Sequence, residues 1–269
     1  LLESFLKLYL IEKKRVVIPT GNFPESVSAV HSLGGVVDGI LLEANTQAID
    51  LDAMLQACCP TTTACVHLCN PNNPTGLWIN LEQLLEFTTQ VAPIPVCVSE
   101  ANADFIGQTL ISSSMPSNLV VVRSFSKAHG LAGLRVGYAV AAPEVIRRFK
   151  ENTRNFRVST LSQVAALAAL DDVEHLRESV SYMLREKQRL MESMADFGFG
   201  VVASEGHTFI AKVPPCWGSA DSLCSKLAQE KVAVVNCSIY PGLSEYIRIA
   251  PQSVETNDQF IAVMKGLVS

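Results

Sequence analysis

Short apolar runs alternate with amphipathic stretches along the first part of the chain. Runs such as Ala64–Cys69, Pro95–Val98 and Leu119–Arg123 are mostly apolar without alternation, which is typical of strands buried on both faces of a sheet. Between such runs, Asp50–Cys58 and Leu81–Val91 place apolar residues at helical spacing. Strands that alternate with helices predict a mostly parallel sheet covered by helices on both faces, an α/β fold.

The alternation continues up to about residue 171. Further predicted strands cover Arg15–Ile18, Val36–Leu42 and Val136–Ala141, and further predicted helices cover Leu1–Lys13, Pro24–Leu33, Pro143–Asn152 and Thr160–Leu170. We therefore expect residues 1–171 to form one large domain, which would carry the mostly parallel sheet.

The pattern changes after residue 171. Asp172–Phe197 carries dense alternating charge, as a long exposed helix should. The remaining predicted strands are Gly200–Ala203, Thr208–Val213, Ala233–Val235 and Tyr246–Ala250, and the remaining predicted helices are Ser219–Gln229 and Asn257–Leu267. This change predicts a smaller C-terminal α+β domain over residues 172–269.

Composition limits the classes of partner. The chain has 269 residues, 48% hydrophobic and 17% charged, with a net charge of −5. The acidic balance argues against a nucleic-acid surface, and no segment has the unbroken apolar length of a membrane span. We expect small-molecule partners and a second copy of the chain. The eight cysteines form no C-x-x-C pair, which favours buried thiols in a reducing, cytoplasmic setting over a metal site or disulfides.

Three polar segments follow predicted strands at their carboxyl ends. They are NPNNPTG at Asn70–Gly76, SEANADF at Ser99–Phe105, and SFSK at Ser124–Lys127. The carboxyl ends of parallel strands meet at one edge of a sheet, where folds of this kind bind ligands. The three segments therefore predict one shared site.

The segment after Leu119–Arg123 combines groups suited to a phosphate and a carbonyl carbon. Ser124 and Ser126 can bind a phosphate, Lys127 can form a Schiff base beside it, and Arg135 offers a bidentate fork. A lysine beside a phosphate cradle suggests pyridoxal 5′-phosphate (PLP). The alternative is a solvated lysine at a helix start, with the glycines serving only the turns.

The sequence S-F-S-K-x-x-G-L-A-G-L-R-x-G-Y from Ser124 to Tyr138 resembles the cofactor-lysine signature of the class I/II aminotransferases, which have PLP fold type I. Within that family the chain most resembles the branch of histidinol-phosphate aminotransferase and threonine-phosphate decarboxylase. The resemblance implies a PLP enzyme and a homodimer. The family has a further N-terminal part that includes a phosphate-binding turn. Because the chain starts within a predicted amphipathic helix and without Met, we expect it to be a fragment.

The resemblance also implies roles for single residues. Lys127 would hold PLP and move the substrate Cα proton, Asn73 would bond the PLP 3′-oxygen, and Phe23 would stack on the pyridine ring. Arg248 would clamp the substrate carboxylate. The corresponding structural readings are an Asn-Pro turn residue, a core phenylalanine at a helix entry and an arginine facing solvent from a strand.

Two positions depart from the family pattern D-E-A-Y/F-x-x-F. Ser99 replaces the Asp that pairs with the pyridine nitrogen, and Asn102 replaces an aromatic residue, often a Tyr, that bonds the 3′-oxygen. A neutral hydroxyl cannot stabilise a buried positive charge, so we expect a weaker electron sink. Glu100 and Asp104 are the nearest acids, but alternation along an extended segment would turn Glu100 away from Ser99.

A third departure concerns the substrate. In the segment VNCSIYPGL, Val235–Leu243, Val235 and Asn236 stand where the threonine-phosphate decarboxylase branch commonly has Arg and Asp, which argues against a phosphorylated substrate. We expect a PLP-dependent aminotransferase that acts on an amino acid and a keto acid. A decarboxylase and a catalytically impaired PLP-binding homologue remain as alternatives. We interpret His129 as structural and leave the role of His207 open.

Overall fold

The larger of two sheets matches the predicted α/β layer. The computed structural model describes residues 1–10, 14–152 and 157–268. Within these ranges, strands β1 to β6 of the larger sheet are Arg15–Pro19, Val36–Ile40, Thr63–Cys69, Val96–Ser99, Leu119–Ser124 and Gly137–Ala141. Their order in the sheet is β2-β1-β3-β4-β5-β6, and all pairs are parallel except β5 with β6. The mostly parallel sheet is confirmed.

Helices cover both faces of this sheet. Helices α1 to α6 are Leu2–Tyr9, Pro24–Ser32, Leu51–Ala57, Leu81–Gln90, Pro143–Glu151 and Thr160–Asp171. Val66 and Leu68 of β3 pack in a core with residues of α3 and α4, whereas Cys65 packs with residues of α1, α2 and α5. Alternate residues of one strand thus fill two cores, which explains why the strand is apolar throughout.

The C-terminal part forms a second, antiparallel sheet. Its strands β7 to β10 are Gly200–Val201, Phe209–Lys212, Val235–Asn236 and Tyr246–Ile249, in the order β7-β8-β10-β9. Helices α7 to α9 are Val173–Asp196, Ala220–Gln229 and Val254–Val268. Leu190, Leu223 and Phe260 bring one helix each into a common core with this sheet.

The ends of several elements differ from the predictions. Helix α1 ends at Tyr9, and residues 11–13 of the predicted helix lie outside the described residues. Helix α9 begins at Val254, three residues before the predicted start at Asn257. The reason is that the backbone carbonyl of Ser253 accepts from the Asn257 N–H (2.9 Å), and the Ser253 hydroxyl accepts from the Thr256 N–H. Serine is a preferred residue at helix starts.

A loop of the antiparallel sheet docks on the NPNNPTG turn of the larger sheet. The Gly206 N–H donates to the Gly76 carbonyl oxygen (2.9 Å). Gly76 has φ +75°, and a Cβ there would lie 2.1 Å from the Thr208 carbonyl oxygen, so only glycine permits this approach. The Lys187 ammonium of α7 donates to the carbonyl oxygens of Ser204 (2.5 Å) and Gly206 (2.9 Å). The loop of residues 203–208 is therefore fixed from both sides.

Candidate active site

A cavity of about 380 Å³ lies at the carboxyl ends of β3, β4 and β5. Its lining includes every residue predicted to attach or hold the cofactor, namely Phe23, Asn73, Ser99, Asn102, Ser124, Ser126, Lys127 and Arg135. These residues come from three polar segments and a helix start. The parallel arrangement of the strands brings them to one edge of the sheet.

The cavity lining includes the hydroxyl groups of Ser124 and Ser126 and the guanidinium of Arg135. Ser124 ends β5, and its Oγ accepts from the Ser126 N–H (3.1 Å), which ties the two serines together. Arg135 follows a single 3₁₀ turn and has left-handed backbone angles (φ 51°, ψ 44°), an uncommon state for a residue with a side chain. The Arg135 Nη1 donates to the Ala132 carbonyl oxygen (3.1 Å). Such a cluster can bind a phosphate.

Arg248 reaches the site from the other sheet. Its Nη1 donates to the Asn73 Oδ1 (2.5 Å), although the two residues lie 175 positions apart in the chain. The Arg248 Nε is buried and has no hydrogen-bond partner among the described residues. Since a buried donor normally finds a partner, the guanidinium has capacity for a ligand. The predicted cofactor and substrate residues therefore meet at Asn73.

The floor of the cavity around Ser99 is electrically neutral. Burial raises the pKa of the Cys69 thiol to about 12 and the pKa of the Cys97 thiol well above its ordinary value. Burial also lowers the pKa of His67 to about 4. At neutral pH none of these groups carries charge. A bound ring nitrogen near Ser99 would find hydroxyl, thiol and imidazole groups there.

The nearby acids do not compensate for Ser99. Glu100 is 1% exposed, and its Oε2 accepts from the Arg123 Nη1 (3.2 Å) and the Thr109 hydroxyl (2.5 Å). The Arg123 Nη2 binds the carboxylate of Asp104. Glu100 follows Ser99 at the end of β4 and is not among the residues that line the cavity. Both acids are held by Arg123 and are unavailable to replace the missing Asp.

His67 was not among the predicted site residues, although it lines the cavity. Since a carbonyl can only accept, the His67 Nδ1–H donates to the Cys97 carbonyl oxygen (3.0 Å), and the Ser26 hydroxyl donates to Nε2 (2.9 Å). The imidazole is thus held neutral in one tautomer. In the sequence His67 lies within a mostly apolar predicted strand, where a histidine cannot be distinguished from an ordinary core residue.

We expect acid to destabilise the protein through His67. Its pKa is about 4 when folded and 6.5 ordinarily, so between these values the unfolded chain binds the extra proton. The free energy of unfolding should be level above pH 6.5 and fall by about 2–3 kcal/mol through this group as the pH drops to about 4.5. Urea unfolding at several pH values measures this slope.

The substitution His67→Gln should make the pH dependence shallower, because glutamine cannot be protonated. His31→Gln, at an exposed position on α2, serves as the control and should leave the slope as in the wild type. An unchanged slope in His67→Gln would contradict the assignment of this proton to His67.

A lysine beside hydroxyl and guanidinium groups at the edge of an α/β sheet, with a second arginine that has one donor to spare, is characteristic of enzymes that use PLP on amino acids. The chain belongs to the class I and II aminotransferase family, whose model matches residues 1–264. It is 30% identical to the histidinol-phosphate aminotransferase of Moorella thermoacetica, over all of this chain and 70% of that protein. It is 34% identical to an aromatic amino acid aminotransferase of Mycolicibacterium vanbaalenii, over 81% of this chain and 61% of that protein.

Solved structures agree with this family. The histidinol-phosphate aminotransferase of Sinorhizobium meliloti, solved in complex with PLP, matches 99% of this chain and 74% of its own, with a TM-score of 0.87 and 25% identity. The L-threonine-O-3-phosphate decarboxylase of Porphyromonas gingivalis has a TM-score of 0.81 at 21% identity, over 99% of this chain and 80% of its own. The second likeness shows the fold alone.

The residues present fit PLP, with one exception. The Asn102 Oδ1 is buried without a hydrogen-bond partner among the described residues, which indicates that a ligand completes the site. The serines and Arg135 suit the phosphate, and Lys127 and Asn73 line the same cavity. Ser99 is the exception, because it is the neutral group where the family has a carboxylate.

Among the described residues no group of His, Cys, Asp or Glu could hold a metal ion. No described helix is long and apolar enough to cross a membrane.

Proposed function

We propose that the chain is a PLP-dependent aminotransferase that acts on an amino acid with one carboxylate and an apolar, aromatic side chain. The observation that carries the proposal is the hydrogen bond between Arg248 and Asn73 at the edge of the Lys127 cavity. This contact supports a role for Arg248 in binding the substrate carboxylate beside the residues that would hold the cofactor. Aromatic amino acid and histidinol-phosphate aminotransferases are both among the relatives.

Residue 235 favours the unphosphorylated substrate. Val235 of β9 lies directly opposite Arg248 of β10 in the antiparallel register. Directly paired residues point to the same face of a sheet, so an arginine at 235 would stand beside Arg248 and add a second anion site. Valine supplies apolar surface instead. One anion site with an apolar neighbour suits a substrate with a single carboxylate.

Each residue of the site has a chemical task. PLP, when bound, supplies an aldehyde carbon for covalent attachment and a ring that withdraws electrons from the substrate Cα. Ser124, Ser126 and Arg135 bind the phosphate, and Lys127 is the nucleophile that attaches the cofactor. With PLP bound, the Lys127 amine would take the Cα proton of the substrate and return it as general acid. Arg248 holds the substrate carboxylate so that this proton faces Lys127.

The second candidate, a PLP-binding homologue with impaired catalysis, is favoured by the neutral surroundings of Ser99. The third, a threonine-phosphate decarboxylase, has only a likeness of fold in its favour and is opposed by Val235. A weaker electron sink slows Cα proton removal and leaves attachment at Lys127 intact. The candidates therefore differ in turnover and in substrate, while all three bind PLP.

The substrate preference is tested with PLP-loaded protein, 2-oxoglutarate as acceptor, and phenylalanine or histidinol phosphate as donor. We expect kcat/KM for phenylalanine to exceed that for histidinol phosphate by about tenfold or more. Histidinol phosphate carries a phosphate dianion in place of the carboxylate, Val235 beside Arg248 adds no donor for the second charge, and one unmade charged hydrogen bond costs about that much. Val235→Arg should reduce the ratio of the two kcat/KM values, and Val235→Leu is the matched control. A preference for histidinol phosphate in the wild type would refute the substrate assignment, and no turnover with PLP bound would favour the impaired homologue.

Three further features belong to this proposal. We propose a homodimer, supported by the exposed apolar stripe of Leu161, Val164 and Leu167 on α6. We propose a cytoplasmic location, supported by eight free cysteines, since reduced thiols persist in a reducing compartment. We also propose the domain division at residue 171, supported by separate cores around the two sheets.

A further inference from the structure

We propose that His207 is a substrate-positioning residue whose imidazole N–H donates to the carboxylate held by Arg248. The inference rests on the proposed function, because it assigns a second donor to the same carboxylate. It goes beyond that function by naming a residue on the docked loop of residues 203–208 as a determinant of carboxylate binding.

The loop holds His207 in one place. The Gly206 N–H donates to the Gly76 carbonyl oxygen (2.9 Å), and the Lys187 ammonium binds the carbonyl oxygens on this part of the loop. The His207 ring stacks on Phe105 with ring centres 4.3 Å apart and planes 20° apart. Both the backbone and the ring of His207 are thus immobilised at the turn that carries Asn73.

Within this fixed ring one polar atom lacks a partner. The His207 Nδ1 is buried and has no hydrogen-bond partner in the described part of the chain. A buried polar atom normally has a partner, and an unpaired one costs about 1–3 kcal/mol. The stacking on Phe105 holds the imidazole in its plane. A ligand can supply the missing partner.

The surroundings of His207 favour an anion as that ligand. Burial and the positive charges of Lys127, Arg248 and Lys187 lower the pKa of His207 to about 4, so the imidazole is neutral at physiological pH. A neutral imidazole donates one hydrogen bond, and the adjacent cations repel any positively charged partner. A carboxylate satisfies the donor and the cations together. Arg248 already offers its unpaired Nε for the same purpose.

The test uses PLP-loaded protein and 3-phenylpropionate, which carries the carboxylate and the ring but no amine that could react. Calorimetry gives the dissociation constants for the wild type, His207→Phe and His129→Phe. Phenylalanine at 207 keeps an aromatic ring against Phe105 and removes only the nitrogens. We expect His207→Phe to bind 3-phenylpropionate about ten- to a hundredfold more weakly than the wild type.

His129→Phe is the matched control. His129 also has a buried Nδ1 without a partner in the described ranges, and its ring packs on Phe125 (5.0 Å between centres). It should bind 3-phenylpropionate as the wild type does. A second probe, 3-phenylpropanamide, has no charge, so the affinities of the wild type and of His207→Phe for it should differ by less than about threefold.

Equal affinity of His207→Phe and wild type for 3-phenylpropionate would overturn the proposal. An equal loss of affinity for 3-phenylpropionate and 3-phenylpropanamide in His207→Phe would also overturn it, because that result indicates a structural role. Wild-type protein that shows the absorption of bound PLP but does not bind 3-phenylpropionate would overturn it as well. Failure of the proposed function is a separate result, because it appears as missing PLP absorption or missing turnover in the wild type.

Discussion

Lys127→Ala should abolish turnover, by a factor on the order of 10⁶, and remove the visible absorption that arises when PLP is attached to a lysine. The expected loss is large because the proposed function gives Lys127 two tasks, cofactor attachment and Cα proton transfer, and deletion of an essential nucleophile costs about this much in other enzymes. Ser124, Ser126 and Arg135 stay in place on the cavity wall. The variant should therefore still bind PLP, but without a covalent bond.

The experiment compares absorption spectra and single-turnover rates of the wild type, Lys127→Ala and Lys226→Ala after addition of PLP. Lys226 is exposed on α8, so its removal tests for unspecific reaction of PLP with surface lysines. Sodium borohydride then fixes the attachment point for mass spectrometry. If Lys127→Ala had the same spectrum as the wild type, the lysine that binds the cofactor would be a different one, and the assignment of this cavity as the PLP site would be wrong.

Ser99→Asp should raise the rate of Cα proton removal by about a hundredfold, the scale of one well-placed electrostatic group in an active site. A carboxylate at this position can stabilise a protonated pyridine nitrogen, which the present neutral floor of hydroxyl, thiol and imidazole cannot do. Arg123 will not compensate for the new charge, because its two guanidinium nitrogens already bind Glu100 and Asp104.

The gain in rate should come with a loss of stability when PLP is absent. A buried carboxylate without a partner is destabilising by several kcal/mol, whereas bound PLP supplies the partner. Thermal unfolding with and without PLP should therefore show a larger PLP-dependent shift in Ser99→Asp than in the wild type. Ser99→Asn changes the shape without the charge and should give neither effect. Equal rates in Ser99→Asp and wild type would mean that residue 99 does not face the ring nitrogen.

Much of the fold was predictable because the strands of the large sheet are short and mostly apolar. Cys65 and Val66 fill opposite cores, so both had to be apolar, and the strand could be recognised without its neighbours. The cavity residues were predictable for a related reason. Once parallel strands are recognised, their carboxyl ends must share an edge, and the polar segments after β3, β4 and β5 must meet there.

Other features depend on contacts that no local pattern encodes. The connection between β5 and β6 contains only a single 3₁₀ turn, so β6 returns antiparallel, since a parallel neighbour needs a longer crossover. The neutrality of the floor depends on the burial of His67 beside two thiols. The position of His207 depends on how the two sheets meet at Gly76. The sequence shows these residue types, but it does not show which residues lie next to them in the fold.

The hydrogen bond between Arg248 and Asn73 also has a consequence for how the site assembles. It joins residues 175 positions apart, so it can form only after both sheets have folded and met. The lysine, the serines and Arg135 lie within a short stretch of the larger sheet and need no such meeting. Opening of the antiparallel sheet alone would remove the proposed carboxylate contact and leave the proposed cofactor residues in place. Substrate recognition and cofactor retention could therefore be lost independently.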